Sequence, residues 1–180
     1  MNPMKRTPAG KTFLSRKRNL VIPLLLLAAG YIAYSNSFHC SFHWDDIPAI
    51  VDNEAVRSGD AFAQLSTWAD INFRPLSMFT FFLNWQSGGS VVWPFHLVNF
   101  LIHMVTSILV FYLTRYTVQL VLPDNRLEKR LVTAAALFAA LLFLLHPVQT
   151  MAVTYIVQRM TLMAAMFYIL SLLVYARERI

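Results

Sequence analysis

Residues 20–46 read LVIPLLLLAAGYIAYSNSFHCSFHWDD, an apolar run that ends, after a short aromatic stretch, in the adjacent carboxylates Asp45 and Asp46. A membrane span needs about 20 mostly apolar residues, and Leu20 to Ser37 meets that length. Ionisable groups at a membrane surface are costly to hold unless they pair, bind a metal or do chemistry. An acidic pair at the end of a span is therefore a candidate functional site.

The rest of the chain fits the same setting. Hydrophobic residues make up 57% and charged residues 13%, with a mean hydropathy of +0.52, and the apolar residues fall in runs, which excludes an ordinary soluble domain. Three further runs follow: Phe95 to Tyr116, Leu131 to His146, and the shorter Thr161 to Tyr175, which ends against Arg177 and Arg179. The sequence thus predicts an all-α integral membrane protein with four transmembrane helices, spans at about 20–37, 95–116, 131–146 and 161–175, behind a basic cytoplasmic terminus of residues 1–19. A basic stretch before an apolar run also resembles a cleaved signal peptide. Three more spans and no small-residue cleavage site favour a retained anchor.

Charge orients the spans. Twelve of the fifteen Lys and Arg residues precede the first span, lie between the second and third, or follow the fourth; only Arg57, Arg74 and Arg159 fall on the other face. The positive-inside rule then places both termini in the cytoplasm and the acidic pair outside. The net charge of +6 is explained by topology and by attraction to anionic membrane lipids, and no nucleic-acid partner is expected. A bacterial inner membrane is the expected location, with the endoplasmic reticulum as the alternative. Cys40 is the sole cysteine, so an intramolecular disulfide is excluded.

About fifty residues, the outer loop 38–94, separate the first two spans, and long loops in compact proteins are usually functional. Within it, Asn53 to Trp68 and Arg74 to Trp85 carry apolar residues at helical intervals and predict short helices lying in the interface. Trp93-Pro94 suits the start of the next helix.

Several polar side chains point to chemistry. His96, Asn99, His103 and Thr106 form one stripe of the second span, which reads either as interhelical hydrogen bonding or as a ligand site. His146 and Gln149 follow the third span on the acidic pair's side. Arg74 and Arg159 offer planar forks suited to phosphate, or to headgroups and nearby carboxylates. Together these groups suggest a site for a divalent metal and a lipid-linked phosphate. His39, Cys40 and His43 offer a weaker alternative, a zinc site.

The runs Trp44-Asp45-Asp46, Arg74-Pro75-Leu76-Ser77, Phe95-His96-Leu97-Val98-Asn99 with His103, and His146-Pro147-Val148-Gln149-Thr150 with Gln158-Arg159 resemble the N-terminal part of the transmembrane O-mannosyltransferases with tetratricopeptide repeats and their bacterial relatives, in the GT-C superfamily. The resemblance implies sugar transfer from a polyprenyl-phosphate donor to an acceptor on the outer face. It implies Asp45 or Asp46 as general base, the pair as ligands of a divalent ion (Mg or Mn), Arg74 and Arg159 on the donor phosphate, and His96, Asn99, His146 and Gln149 lining the pocket. Two departures stand out. Met151 occupies a position usually acidic in the family, and the relatives are much longer. These features imply a module incomplete on its own that works with another membrane subunit, either a fragment, a split half or a shortened descendant. The alternative reading is a non-catalytic subunit stabilising a larger membrane assembly.

Overall fold

A computed structural model describes residues 10–58, 74–122 and 129–179, with side chains from residue 21 onward. Every regular element among the described residues is helical. The helices are α1 (Gly10–Tyr34), α2 (Glu54–Arg57), α3 (Pro75–Gly88), α4 (Trp93–Val121), α5 (Lys129–Leu145), α6 (Thr150–Thr154) and α7 (Arg159–Arg177). Three stretches are long and apolar enough to cross a membrane, Val21–His39, Trp93–Val121 and Ile156–Arg177, and α5 with Pro147–Thr154 makes a fourth when that pair, bent by 48°, is taken as one span. The protein is a multi-pass membrane protein, as expected. The chain bends by 48° just after the third expected span.

Proline explains the break. Pro147 forces the residue before it out of the helical region, and His146 is extended at φ −63°, ψ 130°. Pro147 also lacks an N–H, so the last carbonyls of α5 lose intrahelical partners. The Leu144 carbonyl is met instead by the Tyr34 hydroxyl, donating at 2.8 Å, and by His103 Nε2 at 3.1 Å. His103, fully buried, thus does a packing job: it ties α4 to the end of α5 where a helix bond is missing.

The central helix is α4, which packs along both α5 and α7. Its contact with α5 is close because Ala136 and Ala140 are small and fully buried, and Ser107 Oγ donates to the Ala140 carbonyl at 3.0 Å. Small residues with a hydroxyl contact are how membrane helices associate where lipid removes the hydrophobic driving force. One core joins Leu26 and Tyr34 of α1, Phe100, Met104 and Phe111 of α4, and Leu144 of α5.

At Gly30 an added Cβ would lie 2.9 Å from Met104 Sδ and 3.3 Å from Leu144 Cδ1. The Met104 thioether can swing aside for a methyl group, but not for a branched chain. Gly30→Leu is therefore expected to cost on the order of 1–3 kcal/mol in denaturant titrations of the detergent-solubilised protein, and Gly30→Ala distinctly less.

A second core lies at the acidic end: Ile50, Val56, Met78, Phe81, Phe82, Phe95 and Ile156. The segment expected to be helical from Arg74 does form a helix, started by Pro75 and stopped at Gly89, whose φ of +59° suits glycine and whose N–H returns to the Trp85 carbonyl at 2.7 Å. This α3 buries Ser77, Met78, Phe81, Phe82 and Asn84, so one of its faces is packed against the second core. Of the helix expected over Asn53 to Trp68, only Glu54–Arg57 is described; residues 59–73 fall outside the described residues.

Candidate functional site

The acidic pair follows a strained turn. Trp44 has φ +50°, the only positive φ at a non-glycine residue among those described, and such backbone persists only where neighbours over-determine it. The turn continues as a tight coil, with N–H groups of Asp46 and Ile47 donating to the carbonyls of His43 and Trp44 at 3.0 and 3.1 Å. It separates the two carboxylates completely. Asp46 is fully buried, whereas Asp45 is exposed.

Asp46 is engaged on both oxygens. Oδ1 accepts the Val157 N–H at 2.7 Å and Oδ2 accepts the His43 N–H at 3.2 Å, with His43 Nδ1 a further 3.8 Å contact. Burial pushes its carboxyl above the ordinary value, against the pull of the two N–H groups and of His43 and His96. Asp46 therefore acts as a strut between the outer turn and the start of the last span. Asp45 is fixed through its backbone, its N–H donating to the Tyr155 hydroxyl at 2.9 Å, which leaves its carboxylate facing outward.

The arginines divide in the same way. Arg159 has no exposed surface; Nε donates to Asn99 Oδ1 at 2.8 Å, Nη1 to Thr80 Oγ1 at 3.1 Å and Nη2 to the Phe95 carbonyl at 2.9 Å. Its guanidinium lies 4.4 Å from the Phe81 ring centroid, a cation–π contact that offsets part of the cost of burial. Three of the guanidinium's five N–H donors go to protein acceptors, so Arg159 ties α3, α4 and α7 together. Arg74 remains exposed, with Nη1 3.3 Å from Met160 Sδ. It lines a cavity of about 210 Å³ whose apolar wall includes Met160, Met163, Ala164 and Phe167.

Asn99 connects the two halves. While its Oδ1 accepts from Arg159, Nδ2 donates to the carbonyls of Ile156 at 3.1 Å and Tyr155 at 3.4 Å, which leaves its amide one consistent orientation. His96 Nε2 donates to the Cys40 carbonyl at 2.8 Å, pinning the chain just after the first span. Both residues are fully buried, and their bonds hold the segments around the acidic turn together.

Two further residues singled out from the sequence share one turn. His146 is exposed, and its Nδ1 accepts the Val148 N–H at 3.2 Å, capping the turn that Pro147 creates. Gln149 belongs to the same turn. Tyr155 was not singled out from the sequence. Its only signal was an aromatic with a polar tip, four residues before an intramembrane arginine.

The described residues alone do not assemble a metal centre. Among those described, no group of three or more His, Cys, Asp or Glu side chains is placed to hold an ion, which applies equally to His39, Cys40 and His43. Of the adjacent pair, Asp46 has both oxygens occupied by protein donors and Asp45 does not, and no step below is routed through a metal.

Comparison with known proteins agrees with the sequence resemblance. The chain is 32% identical over 169 residues to Protein O-mannosyl-transferase TMTC4 of Homo sapiens, covering 86% of this chain and 22% of that protein. It is 30% identical to Protein O-mannosyl-transferase Tmtc3 of Drosophila melanogaster, covering 98% and 21%, and 28% identical to TMTC3 of Homo sapiens, covering 89% and 18%. The chain therefore spans about a fifth of the length of these curated relatives. No family model matches it, and no solved structure does.

Proposed function

We propose, from this similarity to part of the membrane O-mannosyl-transferases, that the chain is the acidic-loop module of a glycosyltransferase that takes a sugar from a polyprenyl phosphate to an acceptor hydroxyl on the outer face. The observation that carries the reading is the separation of Asp45 from Asp46: one carboxylate is anchored and the other is presented from a rigid turn. As the acceptor oxygen bonds to the anomeric carbon, its proton passes to Asp45. The bond from that carbon to the phosphate oxygen breaks, and the electron pair leaves with the phosphate. Arg74 supplies the positive charge that meets it, and the apolar wall of the 210 Å³ cavity suits the first units of the prenyl chain.

Met151 is exposed and adds no carboxylate, so transfer is expected to depend on a second membrane subunit or on further chain. A Mg2+ or Mn2+ ion belongs to this proposal only as a companion of the donor phosphate. The assay is transfer from a polyprenyl-phosphate mannose to a hydroxyl acceptor, with the chain alone and with the proteins that co-purify with it. Absence of transfer in every preparation would remove the proposal.

The orientation has a direct test. Cys40 is the sole cysteine and is exposed at the acidic end. With both termini in the cytoplasm it is expected to react with an impermeant maleimide in intact cells or spheroplasts, and Cys40→Ser to abolish labelling. Labelling only after permeabilisation inverts the topology. The bacterial inner membrane expected above draws no support from the relatives reported, which are animal proteins.

A further inference from the structure

We propose that Tyr155 is the positioning residue of the Asp45 carboxylate, its hydroxyl holding the strained Trp44–Asp45 turn against the start of the last span. The inference rests on the reading of Asp45 as the base and deepens it, since it names what aims that base.

Three residues of the outer turn are tied to one short segment. The Tyr155 ring stacks on His43 at 4.8 Å between centroids, 20° from parallel. Its hydroxyl accepts the Asp45 N–H at 2.9 Å, and Val157, two residues on, donates its N–H to Asp46. Trp44, with its unfavourable φ of +50°, sits between the first two of these ties. A strained residue clamped on both sides is how a loop is kept in one conformation when its own dihedral preferences oppose it.

The hydroxyl acts on Asp45 through the backbone, its oxygen taking the Asp45 N–H. The segment that carries Tyr155 is itself fixed, its carbonyl and that of Ile156 both accepting from Asn99, which Arg159 holds in turn. Position passes from the buried arginine through Asn99 and Tyr155 to the Asp45 backbone, and the last tie rests on the Tyr155 hydroxyl oxygen.

Tyr155→Phe removes that oxygen and keeps the ring that covers His43, so the fold is expected to stand. Two measurements test the inference, both on the preparation that shows transfer. Hydrogen–deuterium exchange of a peptide spanning Trp44 to Asp46 is expected to quicken about tenfold while the helices exchange as before. The transfer kcat is expected to fall about 10- to 100-fold with the donor KM within about twofold, because a misplaced base slows chemistry and not binding. Unchanged exchange at Asp45, or an unchanged kcat, overturns the inference and leaves the proposed function standing. Loosening of the whole bundle, with kcat and KM failing together, assigns Tyr155 a merely structural role and overturns it too. Should the unmodified protein show no transfer, the proposed function fails, and the exchange comparison then decides whether Tyr155 holds the turn.

Discussion

Asp45→Asn is expected to lower transfer by about 10²- to 10⁴-fold, the range that loss of a general base produces, while the protein still assembles and melts as before. The asymmetry with its neighbour makes this a sharp test. Asn at Asp45 is solvated, because the carboxylate is exposed and the backbone bond to Tyr155 does not involve it. At Asp46 an amide must turn its NH2 toward one of two N–H donors, Val157 or His43, in a site with no exposed surface. Leaving such a group unsatisfied costs about 1–3 kcal/mol, so Asp46→Asn is expected to lower stability as well as activity. Equal loss of activity from both variants with no loss of stability at Asp46 would mean that the strut and the base have been assigned the wrong way round.

The spans were legible because burial in lipid demands length and apolarity, and both are visible in a sequence. Leu20 to Ser37 became Val21–His39, Phe95 to Tyr116 became Trp93–Val121, and Thr161 to Tyr175 became Ile156–Arg177. The residue groups singled out also proved connected: Asp46, Asn99 and Arg159 meet through Val157 and Tyr155 although they are 53 to 113 positions apart. What pattern could not give is direction. An apolar face turned to lipid and one turned to another helix have the same composition, so the sequence marked α3 as a helix without showing that Phe81 would be fully buried. For Arg159 the sequence shows a cation near a helix start, but its acceptors are Asn99 and a carbonyl some sixty residues away. His146 caps the turn that Pro147 creates, a local bond that composition does not show.

The buried arginine gives the largest expected effect on stability, and the effect has a definite sign. No carboxylate pairs with Arg159 among the described residues; the single close ion-pair geometry there is His43 with Asp46. The charge also sits in the first turn of α7, where the helix dipole opposes it. Its hydrogen bonds must therefore carry the cost of burial. Asn99→Leu strips one of them and bares the carbonyls of Tyr155 and Ile156, an expected loss of about 3–5 kcal/mol, the range for leaving a buried charge without its partner. Arg159→Met removes the charge with its desolvation cost and is expected to be milder than Asn99→Leu. The double variant Asn99→Leu/Arg159→Met should then be more stable than Asn99→Leu alone, a coupling of about 1–3 kcal/mol readable in denaturant titrations of the detergent-solubilised protein. Simple addition of the two losses would show that Asn99 and Arg159 act independently, and the chain of contacts from Arg159 to Asp45 would lose its first link.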